Sequence, residues 1–196
     1  MPEISINNPP DPLYYKSYIQ RYQQVREKLY SNNIVPYNKH ISEYSNLLNP
    51  SFCAIILYST VAEFQKKSKS GLSFPLLYLI LPIILHQSTR NRVNSKTNMV
   101  VWLQRNADTL VGFPERARSL VSFTNEAIEL LLYQQITSID GSNLTITKPI
   151  SKSPIDKFIA TDSEIADCIQ KAAHLGRWFF NMRTDESIYA AWGVKP

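Results

Sequence analysis

Glycine and cysteine are scarce in this chain of 196 residues, and their scarcity removes several kinds of chemistry. The five glycines form neither a G-x-x-x-x-G-K-[ST] nor a G-x-G-x-x-G pattern, so no glycine-rich loop is available to cradle a nucleotide phosphate. The two cysteines, Cys53 and Cys168, lie among apolar neighbours at helical spacing, where a thiol packs as a small hydrophobe; a disulfide is not expected. His40, His86 and His174 are far apart and neither cysteine has a second one nearby, so no metal-ligand signature appears. There is no G-x-S-x-G elbow, and pairing either cysteine with a histidine would be arbitrary. The expectation is a chain that is not an enzyme and uses no cofactor or metal.

Long apolar runs are also missing. The longest, Phe74 to Leu85, contains Pro75 and Pro82 and falls well short of the roughly 20 residues of a membrane span, so it reads as a buried core segment. The first twelve residues show no basic region followed by an apolar one, so a signal peptide is not expected and a cytoplasmic location fits best. Lysine and arginine number 21 against 16 aspartates and glutamates, a formal charge of +5 spread along the whole chain. That excess permits an anionic partner without requiring one.

What the chain does have is helical periodicity. In residues 1–40, Tyr15, Tyr18, Tyr22, Val25 and Leu29 recur at steps of three and four and predict one amphipathic, tyrosine-rich helix in an N-terminal extension. Its seam either packs on the domain's own core or docks on another subunit. A main domain follows over 41–196. Asn49-Pro50 predicts the start of a helix from Ser51 to Lys67 with Phe52, Ile55, Ile56, Ser59, Ala62 and Phe64 on its apolar side. Lys66, Lys67 and Lys69 suit the dipole at its C-terminus, and Gly71 ends it. Ser73 to His86 predicts an N-capped helix, broken or kinked at Pro82 and apolar on nearly every face, at the centre of the fold. After it, Arg90, Arg92 and Lys96 fall in a polar loop suited to an acidic surface or phosphate.

Over 97–148 the spacing predicts helices at Thr97–Arg105, Pro114–Val121 and Asn125–Gln135, the last capped by Thr124. Strands at Ile136–Ile139 and Leu144–Thr147 follow, around the Asp140-Gly141 turn. Three helices and a hairpin make a winged-helix-like unit. A DNA-reading helix presents Arg, Lys, Asn or Gln to base edges, but Asn125 to Gln135 carries Glu126 and Glu129 and neither Lys nor Arg. The unit therefore reads as a protein-docking module, with Arg116, Arg118, Lys148 and Lys152 left for sequence-independent phosphate contact. Beyond a linker, Thr161 and Glu164 predict a capping box. The helix it opens carries Ile165, Cys168, Ile169, Ala172, Leu175, Gly176 and Phe179 on one stripe, with Lys171, His174 and Arg177 projecting elsewhere. Thr184 caps a last helix, Asp185 to Trp192, which Gly193 stops. The predicted class is mainly α: a helical core, the three-helix and β-hairpin unit, and C-terminal helices.

Six pieces of sequence point to a family: Asn49-Pro50-Ser51-Phe52-Cys53-Ala54, Gly71 through His86, Trp102-Leu103, Gly112-Phe113-Pro114-Glu115-Arg116-Ala117-Arg118, Leu175-Gly176-Arg177-Trp178-Phe179 and Trp192-Gly193-Val194. Taken in this order, the stretch from Leu47 to Pro196 resembles the middle component of ABC three-component systems, in particular the LmuC-like subunit of Lamassu-type anti-phage defence. The resemblance implies a non-catalytic adaptor that bridges an SMC/ABC-type ATPase and an effector, commonly a nuclease. It implies that the effector is held inactive until the ATPase senses foreign DNA. A bridge needs two unlike surfaces, and the candidates are Tyr15, Tyr18 and Tyr22 on one side and Arg177, Trp178, Tyr189 and Trp192 on the other, aromatic and arginine residues being the types that dominate interface energies. Core packing is the competing reading for these aromatics. The alternative function is a stand-alone winged-helix DNA-binding regulator.

Overall fold

The computed structural model describes residues 49–150, 162–182 and 184–194. The tyrosine seam, Lys152 and Thr161 lie outside them. The described residues form eight α-helices and a small antiparallel sheet.

Helix α1 spans Pro50–Ser68, with Asn49 as its N-cap: the Asn49 side chain accepts a hydrogen bond from the Ser51 amide at 2.8 Å, and Pro50 occupies the first turn where its missing donor costs nothing. Lys69 closes the helix at a positive φ of 64°. The buried residues of α1 are Phe52, Cys53, Ala54, Ile56, Leu57, Thr60 and Val61; of the expected face only Phe52 and Ile56 are among them, while Ile55, Ser59, Ala62 and Phe64 are half-buried, because helices cover α1 on more than one side.

Strand β1, Leu72–Ser73, leads into a 3₁₀ turn at Phe74–Leu76 and helix α2 at Leu77–Ile84. The predicted Ser73 side-chain cap does not form, and α2 runs on through Pro82 to Ile84. Seven of its eight residues are buried, as an all-apolar helix requires. Arg90 and Arg92, expected in a loop, fall in a short helix α3, Gln87–Arg92.

Helix α4, Met99–Arg105, is capped by Asn98 and followed by a 3₁₀ turn at Ala107–Leu110. Helix α5, Phe113–Ser119, starts after Gly112 in the left-handed region. Helix α6, Val121–Tyr133, begins earlier than expected. Thr124 is inside it rather than at its cap, donating its hydroxyl to the Leu120 carbonyl at 3.0 Å, since α6 starts directly at the end of α5 without an intervening loop.

Strands β2, Thr137–Asp140, and β3, Asn143–Ile146, each sit one residue nearer the turn than predicted and leave a two-residue loop. Gly141, at φ 59°, takes the first central position of that loop, which hairpins of this length reserve for glycine when only one residue adopts positive φ. The sheet order is β1-β3-β2, with Leu72 opposite Leu144 and Ile139 opposite Leu144 on the other side. Gly71 permits the approach of β1: a Cβ there would stand 2.5 Å from the Leu144 carbonyl oxygen. Beyond the end of β1, Gln65 of α1 continues the pairing with its side-chain amide, which accepts from the Ile146 amide at 2.8 Å and donates to the Ile146 carbonyl at 3.2 Å. The hairpin thus draws its third strand and an edge cap from residues upstream of 97, so the stretch 97–148 is not a closed unit of its own.

Helix α7, Ser163–Phe180, makes its most extensive contact with α1. Its N-cap is Asp162, whose carboxylate accepts from the Glu164 amide at 2.7 Å, while the Glu164 side chain accepts from Arg90. That corrects the expected capping box: the helix takes its cap one residue later than Thr161, and the Glu164 carboxylate is engaged by a buried guanidinium, a stronger charge-assisted partner than a backbone amide. Helix α8, Asp185–Ala191, carries the predicted Thr184 cap, here in a capping box with Ser187, and ends at Gly193 with φ 68°.

The α1–α7 crossing is set by Gly176. A Cβ at this position would lie 2.3 Å from the Thr60 carbonyl oxygen, and Thr60 in turn donates its hydroxyl to the Ala172 carbonyl at 3.0 Å. Gly176→Ala is therefore expected to destabilise the fold by about 1–3 kcal/mol through overpacking, read as a lower urea midpoint with an unchanged denaturant slope. A midpoint equal to that of the parent chain would show that the helices separate at no cost and that the crossing is not close.

Candidate functional site

The residues that sequence reasoning nominated for surfaces turn out to hold the interior together. Trp102 from α4, Trp178 from α7 and Trp192 at the end of α8 form one cluster, with ring centroids 5.3 Å apart for Trp102–Trp178 and 6.0 Å for Trp102–Trp192; Phe113 lies 4.8 Å from Trp192. Trp178 and Trp192 are buried, and so is Tyr189, which donates its hydroxyl to the Pro75 carbonyl at 2.7 Å. Burial, reinforced by the nearby Asp185 charge, pushes the Tyr189 phenol well above its ordinary pKa. Of that candidate interface, Arg177 alone reaches the surface, half-buried and paired to Glu63 at 3.1 Å.

The basic candidates divide by partner. Arg90 is 2% exposed and fully occupied: it donates to Glu164 at 2.5 Å, to Asp167 at 3.0 Å and to the Ile84 carbonyl at 3.0 Å. It locks α3 against the first turns of α7 and is not presented to a phosphate. Arg116 lies over the Phe113 ring and donates to the carbonyls of Pro82 and Thr109, each at 3.2 Å. Arg92 is exposed and pairs with Asp108 at 2.6 Å, and Arg118 faces Glu115 at 3.7 Å. Lys96 and Lys148 are exposed.

Three more long side chains bind the segment between α3 and α4. Trp102 donates its indole N–H to the Arg92 carbonyl at 2.7 Å and Trp178 donates to the Thr97 carbonyl at 2.9 Å. Lys171 donates to the Val93 carbonyl. His174, expected to project outward, is buried edge-on to Trp178, and Arg177 donates to its Nδ1 at 3.1 Å. Burial, then the Arg177 charge, hold the His174 pKa below its usual 6.5, against an opposing pull from the Asn94 backbone.

Neither thiol is poised for chemistry. Burial, with Glu126 nearby, pushes Cys53 up to about 12, and burial pushes Cys168 up to about 11 despite the opposing Arg90 charge. Among the described residues no group of three or more His, Cys, Asp or Glu side chains could hold a metal ion. No helix of the described residues is long and apolar enough to cross a membrane.

The surface holds contact residues that were not nominated. Phe180 is 40% exposed and meets Phe64 edge-on at 6.3 Å, across the α1–α7 crossing and beside Arg177. Tyr133 at the end of α6 is 61% exposed and Val111 is 78% exposed. Phe180 was legible as an aromatic off the apolar stripe of α7; Tyr133 and Val111 carried no such signal. Helix α6, the candidate reading helix, packs against α1, and its Asn125 side chain accepts a hydrogen bond from the Tyr78 hydroxyl at 2.8 Å.

The family described as ABC-three component (ABC-3C) system Middle Component 3 matches residues 37–196. No curated protein and no solved structure matches the chain.

Two outcomes test this internal framework. Glu164→Gln combined with Asp167→Asn would strand the Arg90 charge inside the fold, and should cost about 3–5 kcal/mol. Arg90→Met removes the charge itself and should cost less; urea midpoints ranked the other way would mean that Arg90 is solvated. For His174, the folded-state pKa lies below the unfolded one, so the unfolded chain takes up the proton first and stability falls as pH drops below about 6.5. His174→Gln should flatten the loss of thermal midpoint between pH 7 and pH 5, and an unchanged profile would assign that loss to other groups.

Proposed function

The chain belongs to the ABC-three component system Middle Component 3 family, and from that premise we propose that it is a non-catalytic adaptor of a Lamassu-type defence complex. It bridges an SMC/ABC-type ATPase and an effector of nuclease type, and helps hold the effector inactive until foreign DNA is sensed, in the cytoplasm. The observation that carries the reading is the family match over residues 37–196, since a middle component implies partner components in a multi-subunit system.

The chain's own surface supports it. Arg177 and Phe180 place an arginine and an aromatic side by side at one corner, the residue types that anchor protein interfaces. Order along the chain supports a winged-helix-like core, not confined to 97–148 but built from α1, β1, α2, α6, β2 and β3, with α3 to α5 inserted. The stand-alone regulator reading is the weaker one. Its reading helix would be α6, which is committed to α1 and carries two glutamates without a lysine or arginine.

Co-expression of the chain, affinity-tagged, with the products of its adjacent genes tests the proposal. The expected result is co-elution with an ATPase and an effector at fixed stoichiometry, and loss of at least one of them in the Arg177→Ala/Phe180→Ser variant. Elution of the chain alone, together with tight binding to one particular duplex sequence, would overturn it in favour of the regulator.

A further inference from the structure

Once every arginine and lysine of the described residues is assigned its contacts, the free positive charge is not where the sequence places it. Arg90, Arg116 and Lys171 are consumed by backbone carbonyls and carboxylates inside the fold, and Arg92, Arg118 and Arg177 face Asp108, Glu115 and Glu63. The cations left without such a partner are Lys66, Lys67, Lys69, Lys96, Arg105 and Lys148, all exposed. Four of these six belong to one corner. Lys66 and Lys67 occupy the last turn of α1 and Lys69 caps it. The adjacent Gln65 clasps Ile146 at the end of β3 through both hydrogen bonds of its amide, so the strand end that continues two residues on to Lys148 meets the last turns of α1. Glu63, the one carboxylate of α1, is taken by Arg177, and Asp140 lies at the opposite end of the hairpin.

We infer that this corner, made of Lys66, Lys67, Lys69 and Lys148, is a contact surface for the phosphate backbone of duplex nucleic acid. The composition of the patch selects the partner. Lysine is depleted from protein–protein interfaces, which favour Tyr, Trp, Met and Arg, and here Ser68 lies between Lys67 and Lys69, with Ser70 following. A membrane-surface amphipathic site carries an apolar face beside its basic one, whereas the residues next to Lys67 and Lys69 are the hydroxyl-bearing Ser68 and Ser70. Lysines on a helix end and a hairpin base, with neutral hydroxyl side chains between them, suit a row of phosphates. No base-reading helix adjoins them, because α6 is packed on α1, so the contact is independent of sequence. Part of the C-terminal dipole of α1 is also satisfied by the same lysines, but that role needs neither Lys148 nor three of them.

The inference does not depend on which components the chain bridges, and its test is separate from co-elution. Full-length chain is titrated with two labelled duplexes of unrelated sequence over a range of KCl concentrations. Lys66→Ser/Lys148→Ser is compared with Lys96→Ser/Arg105→Ser, which removes the same charge elsewhere, and both are checked for unchanged thermal midpoints. The expected result is equal affinity for the two duplexes, and a slope of log affinity against log salt that falls by about 2 in the first variant and is unchanged in the second. Four outcomes would overturn it: no duplex binding by the parent chain, equal losses in the two variants, a loss confined to vesicles containing anionic lipid, or a loss confined to retention of a protein component.

Discussion

The approach of α7 to α1 at Gly176 is the constraint from which the rest of the molecule follows. With no side chain between the Gly176 backbone and Thr60, two helices of 18 and 19 residues meet along their length instead of at a point. On one side of the crossing the close approach aligns Arg177 with Glu63 and Phe180 with Phe64. On the other it turns His174 and Trp178 inward, toward the segment that joins α3 to α4. A bulkier residue at the crossing would move both sets at once, because they are one turn apart on the same rigid helix.

The second organising feature is how the irregular backbone is satisfied. The carbonyls of Pro82, Ile84 and Arg92 at helix ends, and of Val93, Thr97 and Thr109 in the connections, are taken by side chains, as buried carbonyls need partners. Long side chains supply them: Arg116, Arg90, Trp102, Lys171 and Trp178 each reach one or more. This gives a physical account of the sequence pieces by which the family is recognised. Asn49 and Pro50 start α1, Gly71 admits β1, Gly112 to Arg118 provide Phe113 and Arg116, and Trp102, Trp178 and Trp192 stack together. The recognisable residues are those that specify the fold, so the match identifies the architecture without marking the surface that acts.

That division also explains what could be read from sequence. The Asn49 cap, the Thr184 cap, the Gly193 stop and the Asp140-Gly141 turn were legible because each is settled by residues within four positions of one another. Apart from α3, which was expected as a loop, the helices of the body were legible to within a few residues from period and capping. The fate of Arg90 was not, since its carboxylate partners lie 74 and 77 residues away in sequence. Neither was the pairing of β1 with β3, whose two-residue strand gives no alternation to detect. Tyr189, Trp178 and Trp192 looked equally suited to core and interface, and only the tertiary packing placed them inside.

The same logic separates arginine from lysine on this chain. A guanidinium presents several donors in a fixed plane and is more weakly hydrated than an ammonium, so the fold can use it as internal scaffolding where acceptors meet it. Arg90 and Arg116 each satisfy more than one acceptor in this way. An ammonium is a strongly hydrated point charge and stays at the surface unless paired, as Lys66, Lys67, Lys69 and Lys148 do. Within the described residues, the formal charges alone therefore say little about where an anionic partner would be drawn. Among the described residues, most of the arginine charge is cancelled or enclosed, and the unpaired positive charge there is carried mainly by lysines, four of them near the end of α1 and the Gln65–Ile146 clasp.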